Sequence, residues 1–108
     1  MDCVFCKIIS GEIKSNIVYS DDDMIIFPDI NPKARLHYLA VPRKHCALIK
    51  EADEVLVGKM LFKIAQIANQ LGLENGYRIQ INQKGDKGND ANQEVMHLHI
   101  HILGGQKL

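Results

Sequence analysis

The sequence predicts an α+β fold: a mainly antiparallel sheet packed on one long helix, with a short helix at the N-terminus. Three observations predict it. Between Asp53 and Gly72, Val57, Leu61, Ile64, Ala68 and Leu71 recur every three or four positions, the period of a helix with one apolar face. Short apolar runs bounded by Gly, Pro, Asn or Asp lie on both sides of it, as strands do. The chain has 108 residues, 46% of them hydrophobic, so one domain spanning 1–108 and one core are expected, with a radius of gyration of about 13 Å.

The elements follow in order. Cys3 to Ser10 carries Phe5, Ile8 and Ile9 at helical spacing and is stopped by Gly11, which can enter the left-handed region that ends a helix. Ile17–Tyr19 and Met24–Phe27 flank Ser20-Asp21-Asp22-Asp23, a hairpin with a solvated polar turn. Pro28, Asn31 and Pro32 interrupt the pattern before Leu36–Val41 resumes as a strand that Pro42 closes. Asp53 is suited to cap the long helix and Gly72 to end it. Tyr77–Asn82 and Met96–Leu103 read as the last strands, separated by a mobile polar loop at Lys84–Asn92.

Composition excludes several functions. Thirteen Lys plus Arg balance thirteen Asp plus Glu with no basic block, so a broad positive surface for nucleic acid or membranes is not expected. No apolar run approaches the roughly 18 residues of a membrane span, and the first residues lack a signal-type core, which predicts a cytoplasmic chain. Three cysteines, an odd number, argue against a disulfide framework. Cys46 reads as a small core residue.

The chemistry concentrates at His97-Leu98-His99-Ile100-His101-Ile102-Leu103. Strand side chains alternate, so His97, His99 and His101 share one face and Met96, Leu98, Ile100 and Ile102 the other. The imidazoles then stand about 7 Å apart along the strand. Such a row suits metal binding or nucleophilic catalysis in which neighbouring rings set orientation and tautomer. Cys3-Val4-Phe5-Cys6 has the two-residue spacing by which two thiolates share a zinc ion, and no strand precedes it as in a redox motif. Two further ligands are needed, and the residue types leave His37 and His45 open.

Five motifs stand together: Cys3-Val4-Phe5-Cys6-Lys7-Ile8-Ile9, Phe27-Pro28-Asp29-Ile30-Asn31-Pro32, Val41-Pro42-Arg43-Lys44-His45, Asn82, and His97 to Leu103 followed by Gly104-Gly105. In this order they resemble the histidine triad (HIT) family, specifically its Hint-type branch of small nucleotide-binding hydrolases. The resemblance runs from Cys3 to Gly105. It implies a homodimer in which two sheets combine, acting on purine nucleoside monophosphate derivatives by cleaving the bond from the α-phosphate to a leaving group, typically the amine of a phosphoramidate. His99 would be the nucleophile that carries a nucleotidyl intermediate. His101 would contact phosphate and assist proton transfer, with His97 beside them. Asp29 would accept from the ribose hydroxyls, and Phe5, Ile8, Phe27 and Ile30 would wall the base pocket. Asn82 and the backbone amides near Glu94 and Val95 would hold phosphate oxygens. The resemblance further implies structural zinc on Cys3, Cys6, His45 and His97, and no organic cofactor.

The chain also departs from that pattern. Where the branch usually reads Gly-Gln or Gly-Gly-Gln shortly before the triad, this chain has Asn92-Gln93-Glu94, and the Glu94 carboxylate repels a phosphate unless it turns away or serves proton transfer. Met96 replaces a frequent aromatic residue. The rivals are a dinucleoside polyphosphate hydrolase, a nucleotide-binding regulatory module with little turnover, and a hydrolase whose triad-bound zinc activates water. His101 argues against a nucleotidyl transferase of galactose metabolism, which resembles this triad with Gln in third place.

Overall fold

The computed structural model describes residues 3–108. Helix α1 (Val4–Ser10) begins where Cys3 Sγ accepts from the Cys6 amide at 3.4 Å and ends at Gly11, whose φ of +84° requires no side chain. The hairpin pairs β1 (Tyr19–Ser20) with β2 (Met24–Pro28). Its turn is capped by Asp21, whose Oδ1 accepts from the Asp23 and Met24 amides. Strand β3 (Leu36–Pro42) follows, then α2 (Glu54–Ile67), β4 (Tyr77–Gln80) and β5 (Ile100–Gly104). The sheet order is β1-β2-β3-β5-β4, and all neighbours are antiparallel.

The pairing of Ile26 with Ala40, and of Ala40 with Ile100, sorts side chains to two faces. Met24, Ile26, Ala40, Ile100 and Ile102 pack with Met60, Ile64 and Ile67 of α2. On the opposite face, Ile25, Phe27, Leu39 and Val41 pack with Cys3, Phe5 and Ile8. Strand β2 is therefore covered on both sides, which explains why it is an unbroken apolar run and not an alternating one. No helix among the described residues is long and apolar enough to cross a membrane.

Several boundaries differ from the sequence expectation. Ile17 and Val18 precede β1 and are 43% and 39% exposed, since only the Val18 amide reaches Ile26, at 2.8 Å. Asp53 caps α2 as expected, accepting from the Val55 amide at 2.8 Å, but a tighter turn at Ala68–Leu71 separates the regular helix from Gly72. The buried stripe runs through Met60, Ile64 and Ile67, with Val57 and Leu61 only partly covered. Strand β4 stops at Gln80, short of Asn82, and β5 starts only at Ile100. Cys46 is half-buried, outside the core, where burial pushes its thiol up. The Lys84–Asn92 loop is anchored by buried Gln93, whose Oε1 accepts from the Lys84 amide at 2.9 Å while Nε2 donates to the Ala47 carbonyl at 2.7 Å.

Candidate functional site

The triad sits beneath α1. Ile100 and Ile102 are fully buried toward α2 and Leu98 is fully buried as well, so the imidazoles turn to the other face, as alternation requires. The row is not one strand, however. Only His101 belongs to β5; pairing with β3 stops at Ile100, and the Leu98 amide donates instead to the Cys46 carbonyl at 2.6 Å. Met96 is 40% exposed and breaks the expected apolar set. Nor do the rings form a solvated face, because His97 and His99 are buried and His101 half-buried.

Hydrogen bonds to carbonyls assign the ring protons, since a carbonyl oxygen only accepts. His99 Nδ1–H donates to the His97 carbonyl at 2.8 Å, which leaves the Nε2 lone pair free. His97 Nε2–H donates to the Pro42 carbonyl at 2.8 Å, which leaves its Nδ1 lone pair available. That nitrogen lies 3.4 Å from Cys3 Sγ, 3.6 Å from Cys6 Sγ and 3.1 Å from His45 Nδ1, and His45 Nδ1 is 3.3 Å from Cys6 Sγ. All four ligand atoms lie within 4.8 Å of one another.

Two thiolates and two imidazoles at these separations fit a tetrahedral ion. Zinc bond lengths give ligand-to-ligand edges of about 3.3 to 3.8 Å, close to those observed. The Pro42 carbonyl orients the His97 ring and fixes the ligating tautomer, as outer partners of metal-bound histidines do. Of the two histidines the residue types left open, His45 is therefore the one that joins the thiolates.

His99 and His101 open onto a cleft of about 630 Å³, within the range of small-molecule sites. Phe5, Ile8 and Phe27 line it while also belonging to the core, and the Phe5 ring stands edge-on to Phe27 at 5.6 Å and to His99 at 5.2 Å. Ile30 also lines the cleft, but at its rim: it is 91% exposed, because the turn after Asp29 carries it off the sheet. Asp29 closes that turn by accepting from the Asn31 amide through Oδ1 at 2.9 Å. Asn82, Glu94 and Val95 line the cleft opposite, beyond the end of β4. Glu94 does not turn away; its charge reaches His101, and its Oε1 accepts from Asn92 Nδ2 at 3.3 Å.

Residue type marks His37 only as a candidate metal ligand. In the fold it is buried, 2.9 Å from His101 Nδ1 and 3.4 Å from Asp29 Oδ2 through Nε2. Its position within an alternating strand three residues beyond Ala34 carried no signal of this. Burial, followed by the charges of His99 and His37, pushes His101 down to about 4, while Asp29 and Glu94 pull it upward.

Against this geometry, residues 10–108 match the HIT domain. The chain belongs to the HIT family. It is 43% identical to protein HitA of Neisseria gonorrhoeae over 106 residues, 95% of each chain. A solved histidine triad protein from Clostridium difficile superposes with a TM-score of 0.88 at 42% identity, covering 100% of this chain and 94% of that one. A HIT family hydrolase from Legionella pneumophila gives 0.86 at 37% identity, covering 98% and 95%. Within this HIT domain, the departure at Asn92 has a backbone reason. Its φ is +55°, a conformation glycine enters freely and asparagine tolerates better than most residues, so Asn92 fills a place shaped for glycine. The Gly104-Gly105 pair of this HIT domain is likewise steric: a Cβ at Gly104 would meet the Gly76 carbonyl oxygen at 2.9 Å.

Proposed function

We propose that this HIT protein is a nucleotide-binding hydrolase that cleaves purine nucleoside 5′-phosphoramidates, and related nucleoside monophosphate derivatives, through a nucleotidyl intermediate on His99. The observation that carries the reading is the 2.8 Å bond from His99 Nδ1–H to the His97 carbonyl, which leaves Nε2 as a lone pair facing the cleft. A neutral imidazole held in this tautomer is a nucleophile without prior deprotonation.

The chemistry then runs in two displacements. The His99 Nε2 lone pair forms a bond to phosphorus as the bond from phosphorus to the amine nitrogen breaks. The amine leaves with that electron pair and with a proton from His101 Nε2. Water next attacks phosphorus, the bond to His99 breaks and its pair returns to Nε2. One water proton restores His101, and the hydroxyl stays on the nucleotide. His97 contributes its carbonyl to orient His99.

Around the reacting atoms, Asp29 accepts from the ribose hydroxyls, and Phe5, Ile8 and Phe27 enclose the base with Ile30 at the rim. Asn82 and the amides near Glu94 and Val95 hold phosphate oxygens, by the preorganised donors such charge needs. Cys3, Cys6, His45 and His97 would hold a structural zinc, which supplies a cross-link between α1 and the segment bearing His99. The protein acts as a single-domain cytoplasmic homodimer in which two sheets combine; the free edge of β4, the longer of the two edge strands, supports that assembly.

The test is a rapid-quench reaction with adenosine 5′-phosphoramidate. We expect release of AMP and ammonia, and a transient AMP adduct on the peptide containing His99. His99→Ala lowers turnover by at least about 10³-fold, and undiminished turnover in that variant overturns the reading.

A further inference from the structure

Strand register makes His37 and His101 diagonal neighbours on the α1 face: Leu39 lies opposite His101, and Leu103 lies opposite His37. Diagonal residues stand within reach of long side chains, and here the two rings meet at 2.9 Å between His37 Nε2 and His101 Nδ1. Three more contacts decide which atom carries the proton. The backbone N–H of Lys33 points at His37 Nδ1 at 3.0 Å, and an N–H can only donate. His37 Nδ1 is therefore a lone pair, and the proton of the neutral ring sits on Nε2. That Nε2–H faces two acceptors, His101 Nδ1 at 2.9 Å and Asp29 Oδ2 at 3.4 Å. If His101 Nδ1 accepts, the His101 proton sits on Nε2, on the side of the cleft.

We propose that His37 is a positioning residue that fixes His101 with its proton on Nε2 and couples that proton to the occupancy of Asp29 by ribose hydroxyls. The coupling rests on the function proposed above, in which Asp29 receives the ribose. With the ribose absent, the Asp29 carboxylate competes for the His37 N–H. Hydroxyls that donate to Asp29 satisfy its oxygens and weaken that competition, so the His37 N–H commits to His101 Nδ1. A donor on Nδ1 stabilises the negative charge that develops as His101 hands its Nε2 proton to the leaving nitrogen, which makes that proton easier to transfer. Binding of the sugar thus acts on the chemical step as well as on affinity, a use of remote binding energy.

The same contacts speak against a metal ion on Asp29, His37 and His101, although these three also lie within ligand distance of one another. An ion on His37 Nε2 needs the ring proton on Nδ1, where it collides with the Lys33 N–H.

Two measurements test the proposal. The first needs no activity: long-range ¹H–¹⁵N spectra of the full chain with ¹⁵N-labelled histidine, with His37→Gln and His101→Gln used for assignment. We expect His37 and His101 both to carry the proton on Nε2; a proton on Nδ1 of either ring overturns the proposal, whether or not the protein is a hydrolase. The second compares adenosine 5′-phosphoramidate with its 2′,3′-dideoxy form. In the unaltered enzyme the dideoxy substrate is expected to lower kcat about tenfold in addition to raising KM, a fraction of what a general acid contributes. In His37→Leu, kcat on the ribose substrate falls to that lower level and the kcat ratio of the two substrates approaches one, while the KM ratio persists. His37→Gln, which keeps an N–H toward His101, recovers most of the lost kcat. A kcat ratio unchanged by His37→Leu overturns the coupling. If the unaltered protein leaves both substrates intact, the hydrolase reading falls and takes the coupling with it, whereas the spectra still decide the tautomer.

Discussion

His99 is held by the main chain of His97, with Nδ1–H donating to that residue's carbonyl at 2.8 Å. The His97 side chain meanwhile stands among Cys3, Cys6 and His45. One residue thus faces the metal-binding cluster through its ring and the reactive ring through its backbone. Whatever fixes the cluster also fixes the orientation of His99.

This relationship makes Cys3→Ser informative. Cys3 caps α1 by accepting from the Cys6 amide, and serine is a better cap than cysteine, so the exchange leaves the helix start intact and removes only the thiolate. The unaltered protein is expected to carry close to one zinc per chain, and the variant less than about a tenth, with Tm lower by at least about 5 °C. Turnover falls less than in His99→Ala. Metal analysis and calorimetry on both proteins check this, and equal Tm values would count against a structural ion.

Two glycines should respond to alanine in opposite directions. At Gly104 the new methyl would lie 2.7 Å from Leu73 Cδ2 and 2.9 Å from the Gly76 carbonyl, and the backbone oxygen cannot swing away. Gly104→Ala is expected to destabilise by about 1–3 kcal/mol. Gly58 lies within α2 with nothing within 4 Å of the added carbon, so Gly58→Ala stabilises by about 0.5–1 kcal/mol. Urea denaturation of both variants measures the two signs.

Acid should weaken the fold through His101. Its folded pKa of about 4 lies below the unfolded value of 6.5, because burial and the charges of His99 and His37 oppose protonation more than Asp29 and Glu94 favour it. Between those values the unfolded chain binds a proton that the folded chain refuses, so stability rises with pH through the window and drops as pH falls toward its lower end. His101→Gln removes this contribution. Thermal unfolding at about pH 7 and about pH 5 is expected to show a smaller loss of Tm in the variant than in the unaltered protein; identical losses would exclude His101 as a source.

Much of the local chemistry was legible in the chain. The alternation from His97 to Ile102 holds, with Leu98, Ile100 and Ile102 fully buried, even though His97–His99 precede the paired strand. Asp53 and Gly72 marked the ends of the long helical segment through their cap chemistry. By contrast, hydrophobicity alone does not show that Ile30, although it lines the cleft, stands 91% exposed: it reports a preference for burial, and the turn at Asp29 overrides it.

Sequence alone determined which elements form and which residues carry reactive nitrogen and sulfur, because periodicity, caps and turn residues act over a few positions. Tertiary structure alone decided which of those groups meet. Cys3 and His97 stand 94 positions apart, and His37 and His101 stand 64 apart. Only the packing of α1 on the sheet and the β3–β5 register bring each pair within ligand or hydrogen-bond distance, and register is set by burial of a whole face, which no short stretch of chain encodes.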